Sequence, residues 1–264
     1  MAKRLVTVFG GSGFIGRYIV ERLAARGHQV RVAVRRPNEA LFLKPLGDLG
    51  QVQIVAANLK NEASVRRAVA GADSVVNLVG VLFAAGGQTF KALQATGAGL
   101  VAKAAADAGV RTMVHMSALG AAHANESLYA RTKAAGEDAV LAAFPSATIL
   151  RPSVVIGAED GFFNRFAGLV KLFPFLPIPG TGTRFQPVYV ADVADAAVKA
   201  ADVKLFKIHV AMAIGGKGFL LLCGAVSDVE AAIEAGAREI GKRGLLVSRV
   251  VIPRPEPELF GDLI

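Results

Sequence analysis

Cysteine is almost missing from this chain of 264 residues: Cys223 is the only one. No internal disulfide can form, and no cysteine-based zinc site can be built. Histidine is scarce as well. The four histidines are scattered, with no H-x-x-x-H pair, which argues against a metal centre. No apolar run reaches the roughly 18 residues that a membrane span needs. No secretory leader is legible, because KRLVTVFGG reads as strand and turn from the third residue. No cluster of Lys and Arg is interleaved with aromatics, so nothing marks a nucleic-acid surface. Internal repeats and low-complexity stretches are also lacking. The expectation is a soluble compartment with reduced thiols, the cytoplasm.

What is present is apolar. Hydrophobic residues make up 53% of the chain and charged residues 19%, enough for a sizeable core and against disorder. The length suits one large α/β domain or two smaller ones. The net charge of +9 is unevenly placed. Residues 1–200 carry 22 basic and 13 acidic side chains, a surplus of 9, while residues 201–264 carry 8 of each sign. A basic first part suits a phosphorylated cofactor, an acidic partner or an anionic membrane surface.

Short apolar runs alternate with longer amphipathic stretches. RLVTVFG, QVRVAV, VQIVAA, SVVNLVG, RTMVHMSA and ATILRP read as six strands. GFIGRYIVERLAARG reads as a helix, with Ile19, Val20, Leu23 and Ala24 on one face and Gly27 as its stop. NEASVRRAVAG reads as a short helix, and FKALQATGAGLVAKAAADAG as a long one. The strands are apolar on both faces, as in a parallel sheet covered on both sides. The βαβα order predicts an α/β fold, a doubly wound parallel sheet (Rossmann fold) with a C-terminal α/β tail.

FGGSGFIGR sits between the first strand and the first helix, with Gly10, Gly13 and Gly16 in G-x-x-G-x-x-G spacing. Glycine permits a tight turn and lets backbone approach a pyrophosphate, which then rests at the positive end of the helix. The alternative is a turn with no ligand. The second strand ends in VRRP, where an NAD site usually carries an acid for the ribose hydroxyls. Arg35 and Arg36 stand there instead, and a guanidinium suits a 2′-phosphate. Arg17, just inside the helix, is a candidate second contact. The reading is NADP(H) over NAD(H); the alternative is that the arginines are solvated surface residues.

Further on come NLVG (Asn77 to Gly80), then Ser117, then YARTK, with Tyr129 and Lys133 one helical turn apart. Glycine loop, NLVG, Ser and Y-x-x-x-K in this order resemble the short-chain dehydrogenase/reductase superfamily, among its extended and atypical members. The resemblance implies Tyr129 as general acid/base, with the Lys133 charge favouring the phenolate and its amine holding the nicotinamide ribose. It implies Ser117 as the residue that orients the reacting carbonyl or hydroxyl. It also implies a cofactor-binding set of Gly10, Ser12, Gly13, Phe14, Ile15, Gly16, Arg17, Arg35, Arg36, Asn58, Leu59, Asn77, Val79, Gly80, Pro152 and Val154.

ILRPSVVIG, FFNRFAGLVKLFPFLPIPG and FQPVYVADVADA narrow the likeness. Residues 1 to about 197 resemble the NADH-ubiquinone oxidoreductase alpha-subcomplex subunit nine family, NADP(H)-binding accessory subunits of respiratory complex I. A mainly structural role follows from that resemblance, with nucleotide bound and partners among complex I subunits. The stretch from Phe162 to Pro179 is apolar but Pro-broken. It suits either docking on a partner or a lipid surface, or covering a substrate pocket.

After Ala197 the character changes. VKAADVKLF, GGKGFLLLCGAVSDVEAAIEAG and LLVSRVVIPRPEPELF resemble a bacterial microcompartment shell domain that lacks its first strand, which PVYV would have to replace. The expected division is an NADP-binding Rossmann domain over residues 1–197 and an α/β tail over 198–264, joined by fusion or construction within the helix from Val193 to Ala201. The same order of elements also fits a divergent reductase lobe. Three functions stay open: an NADP(H)-binding accessory subunit; an active reductase or epimerase of a small carbonyl or nucleotide sugar; and a shell or scaffold protein that self-assembles through its tail.

Overall fold

A short strand rich in β-branched residues favours pairing, and the first such run, with Val6, Thr7 and Val8, becomes the centre of a sheet. In the computed structural model, β1 (Leu5–Phe9) pairs in parallel with β2 (Gln29–Val34) on one side and with β4 (Ser74–Asn77) on the other. β3 (Val52–Ala56), β5 (Thr112–Met116) and β6 (Thr148–Leu150) complete a six-stranded sheet in the order β3-β2-β1-β4-β5-β6. Every ladder in it is parallel. The order reverses between β1 and β4, so the crevice at their carboxyl ends is where a doubly wound fold takes its ligand. The residues described are 4–82, 88–161, 163–172, 186–202, 205–210 and 218–222, with 233, 234 and 237 as isolated helical positions.

The chain divides into two compact units, Met1–Asp202 and Val203–Ile264. In the first, α1 (Phe14–Ala25) and α6 (Val190–Asp202) cover one face of the sheet. α2 (Glu62–Val69), α3 (Gly97–Asp107) and α4 (Leu128–Ala143) cover the other. The strands are apolar toward both layers: Phe9, Val75 and Met113 join the core under α2 and α3, while Val8, Val76 and Val114 are buried as well. α1 ends where the sequence places its stop. Gly27 has φ +80°, and the His28 and Gly27 N–H groups donate to Leu23 O and Ala24 O. Asn61 caps α2 by accepting from the Ser64 N–H.

The long helix expected from Phe90 onward is not uniform. Residues Lys91–Thr96 form a π-helical segment before α3 begins. The cause is a close crossing: a Cβ on Gly136 of α4 would lie 2.0 Å from Gln94 O. The buried Gln94 side chain donates to Val81 O and accepts from Thr132 Oγ1. These contacts hold the wider turn in place.

Two smaller pairings follow. β7 (Val155–Ile156) runs parallel to β8 (Val188–Tyr189), so PVYV pairs within the first unit. In the second unit, β9 (Leu205–Val210) and β10 (Gly218–Leu222) pair antiparallel. The expected tail helix over VSDVEAAIEAGAREIGKRG and strand over LLVSRVVIP lie outside the described residues, apart from the isolated helical positions. So does most of the docking stretch beyond α5 (Phe163–Leu172). Among the described residues, no helix is long and apolar enough to cross a membrane.

Candidate functional site

The turn after β1 is set by glycines for different reasons. Gly10 has φ +77°, a conformation side chains rarely adopt. A Cβ on Gly16 would lie 2.4 Å from Gly10 O and 2.6 Å from Gly11 Cα, so α1 crosses the loop with no room to spare. Gly13 is the N-cap of α1. It provides no side-chain cap, and the first turn holds no acid. Its missing Cβ would meet only Gly10 O, at 3.2 Å. The amino end of α1 therefore keeps uncapped N–H groups and its positive dipole end turned to the crevice, flanked by Ser12, Phe14 and Ile15.

The second side of the crevice comes from the turn after β4. A Cβ on Gly10 would touch Val79 at 3.4 Å, and one on Gly80 would touch Lys133 Nζ at 3.2 Å. The segment from Asn77 to Gly80 thus links the glycine loop to α4. Asn77 is fully buried. Its Oδ1 receives the Val79 N–H, and its amide nitrogen lies 3.2 Å from His115 Nδ1, opposite it in the β4–β5 ladder. Nδ1 is then an acceptor, and the ring proton sits on Nε2, which has no partner among the described residues. Burial, and next the Lys133 charge, push the His115 pKa down to about 3.

Lys133 is 3% exposed and donates through Nζ to Met116 O at 2.9 Å. Burial lowers its pKa to about 8, against the opposing pull of Glu137. That carboxylate is buried on the next turn of α4 and accepts a bidentate bond from Arg151. Lys133 Nζ lies 5.9 Å from the Tyr129 ring centre, and Phe90 meets that ring edge-on. Burial raises the Tyr129 phenol above its ordinary value. Ser117 closes this end: its N–H donates to Leu150 O, and its buried Oγ has no partner among the described residues.

The remaining expected residues fall around the rim. Pro152 O accepts from Leu119 N–H, and Val154 O from Val188 N–H, so both hold neighbouring loops by backbone. Asn58 is exposed and turns its Oδ1 to Lys60 N–H, while Leu59 is buried against Gly97. Arg36 is exposed and paired with Glu39; Arg35 stands exposed beside it. Arg17 lies over the Phe42 ring at 5.1 Å, and its buried Nε has no partner among the described residues.

Sequence reasoning missed His115, Gln94, Glu137 with Arg151, and Glu159. Glu137, four residues after Lys133, carried a readable signal in its helical spacing. The others meet their partners only through tertiary packing. Among the described residues, no group of three His, Cys, Asp or Glu side chains is placed to hold a metal.

Comparisons with known proteins bear on the family and the fold. Residues 6–207 match the model of the NAD dependent epimerase/dehydratase family, and residues 186–255 match that of the BMC domain. NADH dehydrogenase [ubiquinone] 1 alpha subcomplex subunit 9 of Arabidopsis thaliana is 35% identical, over 97% of this chain and 67% of that protein. Its namesake in Mus musculus is 37% identical over 74% of this chain, which spans 52% of the mouse protein. A ceramide reductase of Caulobacter vibrioides is 34% identical over 73% of this chain and 59% of its own length. In the tail, the bacterial microcompartment shell protein PduT of Citrobacter freundii is 44% identical over 27% of this chain and 39% of its own. Among solved structures, a UDP-N-acetylglucosamine 4-epimerase from Methanobrevibacter ruminantium superposes with TM-score 0.62 at 19% identity, covering 84% of this chain and 79% of that one. That likeness is one of fold.

Proposed function

Through residues 6–207 the chain belongs to the NAD dependent epimerase/dehydratase family, and we propose that it holds NADP(H) as an accessory, structural subunit of an assembly similar to respiratory complex I. The observation that carries the structural role is the state of Tyr129. Its phenol is pushed up by burial, and Lys133 Nζ, which donates to the Met116 carbonyl, lies 5.9 Å from the ring centre. A phenol in that state is a poor proton shuttle near neutral pH. The relatives named subunit 9 of NADH dehydrogenase support the same reading and suggest protein partners. Peripheral placement at a membrane, with the apolar stretch after Gly161 as the contact, goes with it.

The uncapped amino end of α1 fits a pyrophosphate, with Gly10, Ser12, Gly13, Phe14, Ile15 and Gly16 around it. Arg35, Arg36 and Arg17 fit a 2′-phosphate after β2, with arginines at the strand end where an NAD site usually carries an acid, although Arg36 pairs with Glu39 and Arg17 with Glu159. The orphaned Ser117 Oγ and the buried Lys133 fit a polar nicotinamide ribose end, lined by Asn77, Val79, Gly80, Pro152 and Val154. Asn58 and Leu59 take the adenine side. The cofactor supplies hydride chemistry when bound; these residues bind and orient it.

A second reading, an active reductase, is favoured by the complete set of Ser117, Tyr129 and Lys133 and by the ceramide reductase relative. A third, assembly through the tail, draws on the BMC match and the PduT likeness. The experiment is a panel of aldehydes, ketones, long-chain keto lipids and nucleotide sugars, followed by loss of NADPH absorbance, with particle size measured on the same sample. Little or no consumption is expected. Tyr129-dependent consumption on any member would replace the first reading with the second.

A further inference from the structure

Arg17 has a competitor for the phosphate it is placed to meet. The loop after β7 is pinned by Asp160, whose carboxylate accepts from the Gly157 and Phe163 N–H groups. Gly157 lies against Phe14, since a Cβ there would come within 3.0 Å of its ring. The loop therefore rests on the first turn of α1 and aims Glu159 along that helix. Glu159 Oε1 is 3.6 Å from Arg17 Nη1, and Oε2 accepts from the Tyr18 hydroxyl at 2.7 Å. The Tyr18 phenol is raised to about 12, first by that bond. On its other side, Arg17 stacks on Phe42, in the segment that follows Arg35 and Arg36. The guanidinium thus stands between the Phe42 ring, in the segment after β2, and a carboxylate from a distant loop.

We propose that Glu159 is a specificity-determining residue: it holds Arg17 in an ion pair that a 2′-phosphate must break, and so restrains the preference for NADPH over NADH. The proposal rests on the NADP(H) reading above. The ion pair is part-exposed, with side chains 33% and 41% accessible, so it is weak enough to yield to a dianion. An Arg makes its strongest bonds to phosphate in bidentate geometry, and Glu159 competes for the Nη1 end of the guanidinium. NADH presents no such group and leaves the pair intact. Glutamine at this position keeps an acceptor for Tyr18 and the length of the side chain while removing the charge.

The test is a fluorescence titration of wild type, Glu159→Gln, Arg17→Met and the double variant with NADPH and with NADH. Glu159→Gln is expected to tighten NADPH about two- to five-fold, the size of an exposed ion pair, and to leave NADH within about 1.5-fold on the same scale. With Arg17→Met in place, Glu159→Gln is expected to change nothing further. The idea is overturned if wild type prefers NADPH but Glu159→Gln leaves the ratio unchanged, lowers it, or tightens NADPH equally in the Arg17→Met background. Equal wild-type affinities, or no binding of either nucleotide, would overturn the NADP(H) reading and this proposal together.

Discussion

At the residue scale, the buried polar groups give the sharpest expectations. His115 is neutral in the folded protein, with its pKa held down to about 3, against 6.5 in an exposed chain. As pH falls, the unfolded state therefore takes up the proton first. The contribution of His115 is flat above about pH 6.5 and becomes progressively destabilising from there toward pH 3. Each pKa unit is worth about 1.4 kcal/mol, so the loss should reach about 3 kcal/mol near pH 4. Urea unfolding at several pH values, compared with His115→Phe, isolates it. The variant forfeits the Asn77 bond, but its stability should fall less steeply with acid; parallel curves would show that His115 does not titrate this way. Tyr129 and Lys133 separate binding from chemistry. Tyr129→Phe should leave NADPH affinity within about twofold, since the phenol is placed for a proton rather than for cofactor contacts. Lys133→Ala should weaken NADPH about ten-fold or more by removing a buried charge-assisted donor. Titration of both variants settles the ranking.

At the element scale, the two helix-loop glycines make opposite failures. Gly16→Ala forces a Cβ into Gly10 O and Gly11 Cα, backbone atoms that have nowhere to go. It should cost about 1–3 kcal/mol of stability or more. At Gly13 an added Cβ meets only Gly10 O, at 3.2 Å, a tight contact with a single backbone atom, so Gly13→Val should lower the melting temperature less than Gly16→Ala does and still yield a folded protein. NADPH binding should nonetheless be lost, because the branched side chain fills the approach to α1. Retained binding by folded Gly13→Val would make the loop a turn and nothing more. All six strands of the large sheet, and α1 with its glycine stop, were legible because period and punctuation are local signals. The π-helical segment was not. Its cause is Gln94 O against Gly136, 42 positions later in the chain, a crossing that no window of sequence contains. The same holds at the site. Gly10, Gly13 and Gly16 declare themselves by spacing, whereas Asn77 with His115, and Arg17 with Glu159, meet only after the sheet and the β7 loop are in place.

At the scale of the whole molecule, α6 is where two families meet. Both family models extend over residues 186–207, yet a helix can bury one apolar face in only one core. In this chain Val193, Ala194, Ala197, Val198, Ala200 and Ala201 are buried, Arg22 reaches Asp195, and the Ser74 and Thr112 hydroxyls donate to Ala201 O. The helix is thus part of the first unit to its end. A protein ending at Asp202 should fold and bind NADPH within about twofold of the full chain. One ending at Tyr189 should not fold, because each large apolar side chain left uncovered costs about 1.5–3 kcal/mol. Circular dichroism and nucleotide titration of the two truncations check this. The central claim, a phosphate-reading nucleotide site, is tested most directly by equilibrium titration of the full chain with NADPH and NADH, alongside Arg35→Asp. NADPH should bind at least about tenfold more tightly than NADH, a difference of about 1.4 kcal/mol, and Arg35→Asp should erase or reverse it. Equal affinity of the wild type for the two nucleotides would contradict the claim.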